Sequence, residues 1–221
     1  MPIDQPPVII AVDGPAASGK GTLARKLAAH LDYAYLDTGL LYRAVGLQVF
    51  RAGGDPENEQ DALKAAEKLP DIDLSDPELK SESTGGLASK VAAIPAVRAR
   101  LLEFQRKFAR KPPGAKAGAI LDGRDIGTVV CPEATLKLFI IADVETRAKR
   151  RVLEQYGTGA SDIEFQTILN DLIQRDARDT NRASSPLKAA KNAHLLDTTN
   201  SDIEAVFEQA LALFSNRMRK A

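Results

Sequence analysis

Val8-Ile-Ile-Ala-Val12 runs directly into Asp13-Gly-Pro-Ala-Ala-Ser-Gly19-Lys20-Gly21-Thr22, and this junction constrains the chain more than any other stretch. The apolar, β-branched run has the pattern of a strand buried on both faces of a parallel sheet. Beyond Lys20 the spacing becomes helical, with Leu23, Leu27 and Leu31 on one stripe and Arg25 and Lys26 off it. Strand, glycine-rich turn and helix in this order make a cradle for phosphate. Gly14 and Gly19 allow close approach and unusual backbone angles, and the amides of Gly14, Pro15, Ala16, Ala17, Ser18 and Gly19 lead to a helix N-terminus that faces the anion, proline itself lacking the N–H. Lys20 is placed to reach β- and γ-phosphate oxygens. Gly21 stands where Ser or Thr is usual, so Thr22 is the hydroxyl available to Mg²⁺.

The remaining pattern alternates strands with helices. Tyr33–Leu36 reads as a strand, Leu41–Arg51 as a helix closed by Gly53-Gly54, Asp61–Leu69 as an amphipathic helix and Pro95–Phe108 as a helix opened by proline. Ala119–Leu121 and Leu136–Ala142 read as strands, Val144–Tyr156 and Ile163–Arg178 as helices, His194–Leu196 as a last strand and Ile203–Asn216 as a last helix. This order argues for an α/β fold with a mostly parallel central sheet flanked by helices. Residues 55–94 break the rhythm with Pro70–Glu82, rich in proline and acids, and with Gly85-Gly86, as an inserted subdomain does. The expected organisation is a single domain over residues 1–221 carrying that insertion.

Lys plus Arg and Asp plus Glu number 30 each, which gives no overall attraction to a polyanion such as nucleic acid. Cys131 is the only cysteine, so an intrachain disulfide and a multi-cysteine metal site are excluded, and its thiol is expected to behave as a small buried hydrophobe. The N-terminus lacks a secretion-signal pattern, and no apolar run approaches a membrane span. A cytoplasmic monomer acting on small molecules, without a membrane partner, is the expectation. His30, near the end of a helix, and His194, at the start of a strand, are read as structural.

The acceptor of a phosphoryl group has to be sought elsewhere in the chain. No Asn-Lys-x-Asp element for guanine occurs, which disfavours a GTPase switch. Arginines recur in short motifs: Tyr42-Arg43, Val97-Arg98, Gly123-Arg124 and Arg175-Asp-Ala-Arg178-Asp179-Thr-Asn-Arg182. Singly, each arginine is most often a solvated charge; converging, planar guanidinium groups suit phosphate contacts and the charge of a transferred phosphoryl group. Asp122-Gly-Arg124-Asp125 follows a strand, at the sheet edge where open parallel sheets bind ligands. Asp122 there can act on Mg²⁺ through water, and Arg124 can hold a monophosphate. Kinases of small-molecule alcohols and nucleotide-dependent switches remain open on these residues alone.

Asp13–Thr22, Leu36-Asp-Thr-Gly39 with Tyr42-Arg43, Ala88-Ser89-Lys-Val-Ala-Ala with Pro95-x-Val-Arg98, Asp122–Val130 and Arg175-Asp-x-x-Asp179-x-x-Arg182 together resemble the bacterial-type cytidylate kinases, the (d)CMP kinases. The likeness spans essentially the whole chain, and the Gly-Lys-Gly-Thr ending suits nucleoside monophosphate kinases. It implies a P-loop nucleoside monophosphate kinase fold with core, monophosphate-binding part and a lid over about residues 147–182, and transfer from ATP to CMP or dCMP with Mg²⁺. It further implies that Ser89, Arg98 and Asp125 read cytosine, that Arg43, Arg124 and Arg182 hold the monophosphate, and that Arg175 and Asp179 lie near the sugar. Thr38 stands where serine is often expected. Lys20, Asp122, Arg124 and Arg182 are the expected catalytic group, and the helix with Arg147, Lys149, Arg150 and Arg151 the expected lid arm over the phosphates.

Overall fold

The structure, a computed structural model, describes residues 6–69, 74 and 76–219, without the side chain of residue 82. Met1 to Gln5, and much of the expected Pro70–Glu82 stretch, lie outside the described residues. Five parallel strands form one sheet: β1 (Val8–Asp13), β2 (Ala34–Asp37), β3 (Gly118–Gly123), β4 (Leu136–Ile141) and β5 (His194–Asp197), in the order β2-β3-β1-β4-β5. Among the described residues, eight α-helices connect and cover them: α1 (Lys20–Leu31), α2 (Thr38–Arg51), α3 (Glu59–Glu67), α4 (Glu82–Val91), α5 (Pro95–Arg110), α6 (Val144–Tyr156), α7 (Asp162–Asn181) and α8 (Ile203–Met218). None of the helices among the described residues is long and apolar enough to cross a membrane.

Strand periodicity sorts the core into two layers. Ile9 and Ala11 of β1 join Ala119 and Leu121 of β3 beneath α2 and α5, whereas Ile10 and Val12 join Ile120, Leu138 and Ile140 beneath α1 and α8. Both faces of the central strand are therefore dry, as its unbroken apolar run requires. Cys131 is buried in the first layer, and burial pushes its thiol up to about 12, so it behaves as an inert hydrophobe. His30 stands edge-on to Phe207 at 5.5 Å, and His194 is exposed at the start of β5.

Among the described residues, 55–94 contribute α3, the 3₁₀ turn Pro77–Lys80 and α4. Leu69, Leu79, Ala88 and Val91 belong to the same apolar cluster as Ile9 and Leu121, so this segment extends the first layer. By contrast α6 and α7 meet over a small separate cluster, in which Ala16 of the phosphate loop packs on Ala148, Ile168 and Leu172.

Besides shifts of a few residues at element ends, four differences from the sequence expectation have a local cause or consequence. β2 begins at Ala34 because Asp32 turns into the left-handed region (φ 54°), which leaves Tyr33 outside the ladder. α2 starts at Thr38, since the Asp37 carboxylate caps it by accepting from the Leu40 amide at 3.3 Å. α4 runs through Gly85-Gly86, read as a break; a Cβ on Gly85 would lie 3.0 Å from the guanidinium groups of Arg43 and Arg175. Ile126–Val130 forms a single π-helical turn that no local propensity signals.

Gly46 sets the spacing between α2 and α4. A Cβ there would lie 2.8 Å from the Leu87 Cβ and 3.0 Å from its carbonyl carbon. Helix propensity favours Gly→Ala by about 1 kcal/mol, while overpacking a closed interface costs about 1–3 kcal/mol. The contact is with backbone and Cβ, which cannot swing aside, so the steric cost wins. Gly46→Ala is expected to lower the urea unfolding midpoint; a raised midpoint would show that the helices separate freely.

Candidate functional site

The carboxyl ends of β1, β2 and β3 come together in register, with Asp13 beside Gly123 and Asp37 beside Asp122. Above them lies a cavity of about 330 Å³ lined by Ala16, Ala17, Gly19, Lys20, Gly21 and Thr22 of the phosphate loop and α1. Asp37 closes it from the end of β2, Gly39 and Arg43 from α2, Asp122 from β3 and Arg124 just past it, Arg150, Arg151 and Glu154 from α6, and Leu172 and Arg175 from α7. Gly14, Pro15 and Ser18 form the underside of the loop and do not line the cavity. Gly14 is required there by close approach, since a Cβ would run into the Ile140 carbonyl; Gly19 is required by its left-handed backbone, φ 84°.

The buried charges of this cavity oppose one another. Lys20 donates to the Pro15 carbonyl at 3.2 Å, and burial, then the charge of Arg124, lower its ammonium to about 7. Burial, then the neighbouring Asp37, push the Asp122 carboxyl up to about 7, against the pull of Lys20. Tyr35 donates to Asp122 Oδ1 at 3.1 Å, and the same burial and carboxylates raise the phenol. A phosphate chain would relieve the lysine, and a cation would relieve the paired carboxylates.

A second cavity of about 50 Å³ adjoins the first and shares Gly39, Gly123, Arg124 and Arg175 with it. Thr38, Tyr42, Ser89, Arg98, Asp125, Asp179 and Arg182 complete its wall. Arg98 and Asp125 form a buried ion pair, with the Arg98 guanidinium 5.5 Å from the centre of the Tyr42 ring. Arg124 Nε donates to Asp179 Oδ2 at 2.9 Å, and the Ser89 hydroxyl donates to Asp179 Oδ1 at 3.5 Å. Burial pushes the Asp179 carboxyl up, but Arg124, Arg175 and Arg182 outweigh it and hold it below the usual range. Burial, then Arg98, depress Arg182, whose Nη2 has no hydrogen-bond partner among the described residues. Four guanidinium groups face two carboxylates in this cavity, which leaves it suited to an anion.

Some expected site residues have other partners. The Thr38 hydroxyl donates to the Asp122 carbonyl at 2.7 Å, and Arg43 Nη1 donates to the carbonyls of Leu79 and Ser81, both at 2.8 Å. Arg147 does not reach over the cavity as a lid arm would. It is buried and donates to the carbonyls of Ala142 at 3.0 Å and Ala16 at 3.2 Å and to Asp176 Oδ2 at 2.6 Å, a clamp from the phosphate loop to α7. Lys149 is exposed, and only Arg150 and Arg151 of the four face the cavity.

Sequence reasoning missed several groups. Asp37 was noticed only as part of a motif, because its pairing with Asp122 depends on strand register. Arg25, beside Tyr35 at 5.9 Å, read as an ordinary off-stripe charge. A third hollow, about 300 Å³, lies between Thr22, Arg150, Thr198, Ser201, Asp202 and Val206, next to the phosphate loop. Thr198 donates to the Ser18 carbonyl at 3.0 Å, and Arg150 Nη1 donates to the Thr198 hydroxyl at 2.9 Å. Nothing near Thr198 in the sequence signals that role.

The oxygen donors present suit magnesium in kind. Mg²⁺ takes one or two carboxylates with water and phosphate, and Thr22, Asp37 and Asp122 supply oxygens on one wall. No cluster of three or more His, Cys, Asp or Glu side chains able to hold a metal occurs among the described residues. A metal here would accordingly depend on the nucleotide's own oxygens.

Residues 10–216 match the family model described as Cytidylate kinase. The chain is 54% identical to a cytidylate kinase of Paramagnetospirillum magneticum over 95% of its own length and 98% of that protein. It is 51% identical to a cytidylate kinase of Rhodospirillum rubrum, over 96% of this chain and all of that one (100%). Its fold is similar to the crystal structure of an uncharacterized protein from Eubacterium ventriosum, with a TM-score of 0.53 and 17% identity, covering 93% and 96% of the two chains. With the family match running almost from end to end and half of its residues shared with such relatives, the chain belongs to the cytidylate kinase family.

Proposed function

We propose that this protein transfers the γ-phosphoryl group of ATP to CMP or dCMP, giving ADP and CDP or dCDP. One observation carries the reading: two adjoining cavities share Arg124 and Arg175, with Lys20 in one and the Arg98–Asp125 pair in the other. The first suits a triphosphate and the second a nucleoside monophosphate, so donor and acceptor phosphates meet under the shared arginines. The hollow beside Thr198 and Asp202 is where the adenine of ATP would lie.

Base choice follows from hydrogen-bonding complementarity. The Asp125 carboxylate accepts from the exocyclic N4 amine of cytosine, while Arg98, with Ser89, donates to N3 and O2. Uracil would set its O4 acceptor against Asp125, an unpaired buried clash that rejects it. Arg43, Arg124 and Arg182 hold the monophosphate, and Arg175 and Asp179 stand near the sugar. Because the Thr38 hydroxyl already donates to Asp122, it is left with acceptor capacity only.

Transfer is direct and in line, since a monophosphate dianion is already a nucleophile near neutral pH. Lys20, Arg124 and Arg182 supply positive charge around the moving group, and their partial burial strengthens its effect. Thr22, Asp122 and Asp37 would hold Mg²⁺ beside the phosphates, where it would supply neutralising positive charge. A cavity of about 50 Å³ cannot admit a nucleotide, so α4 and α7 must part and close again. The small cluster between α6 and α7, with the Arg147–Asp176 clamp at its base, makes residues 147–182 the natural moving part.

A coupled assay with CMP, dCMP, UMP and AMP tests the assignment. Turnover is expected with CMP or dCMP and far less with UMP and AMP; strong AMP turnover without CMP turnover would overturn it. Asp125→Ala is expected to lower kcat/KM for CMP on the order of 10–100-fold with the KM for ATP little changed. Unchanged selectivity between CMP and UMP would remove Asp125 from base reading. Lys20→Met should cost about 10²–10³ in kcat while the protein remains folded by circular dichroism.

A further inference from the structure

Asp13 is the last residue of β1, 3% exposed, immediately before Gly14 of the phosphate loop. Its two carboxylate oxygens are both committed to one short segment. Oδ1 accepts from the Ile126 amide at 2.7 Å and Oδ2 accepts from the Gly127 amide at 2.8 Å, across 113 and 114 residues of sequence. Those two amides directly follow Asp125 and open the π-helical turn, where no carbonyl of the turn can serve them. The turn's own bonds run backward to Asp125, from the amides of Val129 at 2.8 Å and Val130 at 3.2 Å to the Asp125 carbonyl. Asp125 is thus held by its carbonyl on one side and by the anchored amides on the other, and its carboxylate points at Arg98.

The arrangement is costly in isolation. Burial drives the Asp13 carboxyl up to about 6, although the Gly127 and Ile126 amides work against that rise. An apolar residue would fill the end of a buried strand at less cost, so the carboxylate is explained by what it holds. Two parallel N–H groups need two acceptors at one spacing, which a carboxylate supplies and an amide side chain does not.

We infer that Asp13 is a positioning residue for base recognition, fixing the backbone that aims Asp125 and thereby joining the first residue before the phosphate loop to the choice of acceptor base. The inference rests on the reading of Asp125 proposed above. It deepens that reading by naming a residue of the triphosphate side that touches no base and still sets selectivity.

Asp13→Asn keeps the shape and turns one acceptor into a donor that faces an N–H. Gly127→Ala crowds the same place from the other side: its Cβ would touch Asp13 Oδ2 at 3.4 Å and press on the Lys137 side chain at 3.1 Å, so the turn or the lysine must give by a few tenths of an ångström. The measurement is the ratio of kcat/KM for CMP to that for UMP, in wild type, in both variants and in each variant combined with Asp125→Ala. The ratio is expected to fall about tenfold or more in Asp13→Asn and in the same direction in Gly127→Ala. Neither substitution should lower it further once Asp125 is alanine, because residues acting through one group are not additive. A structural role alone would reduce stability and leave the ratio in place. Should Asp13→Asn not fold, Gly127→Ala carries the comparison. Wild-type selectivity retained in the folded variants would overturn the inference about Asp13. A wild-type enzyme that uses CMP and UMP alike would instead overturn the reading of Asp125, and this inference with it.

Discussion

Charge buried at the carboxyl edge of a parallel sheet is the constraint on which the rest of this structure depends. Asp13 and Asp122 are buried and Lys20 is half-buried, and burial displaces each from its ordinary titration range. Such groups persist only where partners or ligands compensate them. Asp13 is compensated by backbone amides, whereas Asp122 and Lys20 partly offset one another. The dry layers on both sides of β1 make the penalty high and also hold the groups still, and preorganised charge is what phosphoryl transfer requires.

Besides the layer beneath α1 and α8, the apolar contacts fall into one large cluster and one small one. β1, β3, α2 and α5 share one apolar cluster that takes in α3 and α4, while α6 and α7 close over a few residues against Ala16. Arg147 spans that seam, bonding the phosphate loop, the end of β4 and Asp176 together.

Much of this was readable in the residues themselves. The unbroken run Val8–Val12 marked the central strand, and leucine spacing marked α1, because buried faces must follow the period of their element. The short motifs holding Lys20, Asp122, Arg124, Asp125, Asp179 and Arg182 disclosed most of the two cavities. What stayed hidden depends on contacts distant in sequence. Gly85-Gly86 looks like a break until Arg43 and Arg175 are seen to need the space, and Asp37 gains its meaning only from its register with Asp122. Arg147 looked like its neighbours Arg150 and Arg151, yet one helical turn sends it beneath the site instead of over it. The π-helical turn after Asp125 has its explanation in Asp13, 113 residues earlier than the first amide it binds.

On the function proposed above, the two adjoining cavities form one continuous site for two nucleotides. A single molecule with adenosine and cytidine joined through five phosphates, titrated by calorimetry, tests it most directly. One equivalent is expected to bind, at least about a hundredfold more tightly than ATP or CMP alone, because the second contact becomes intramolecular. Binding no tighter than that of ATP, or a complex that still takes up CMP, would contradict a continuous site.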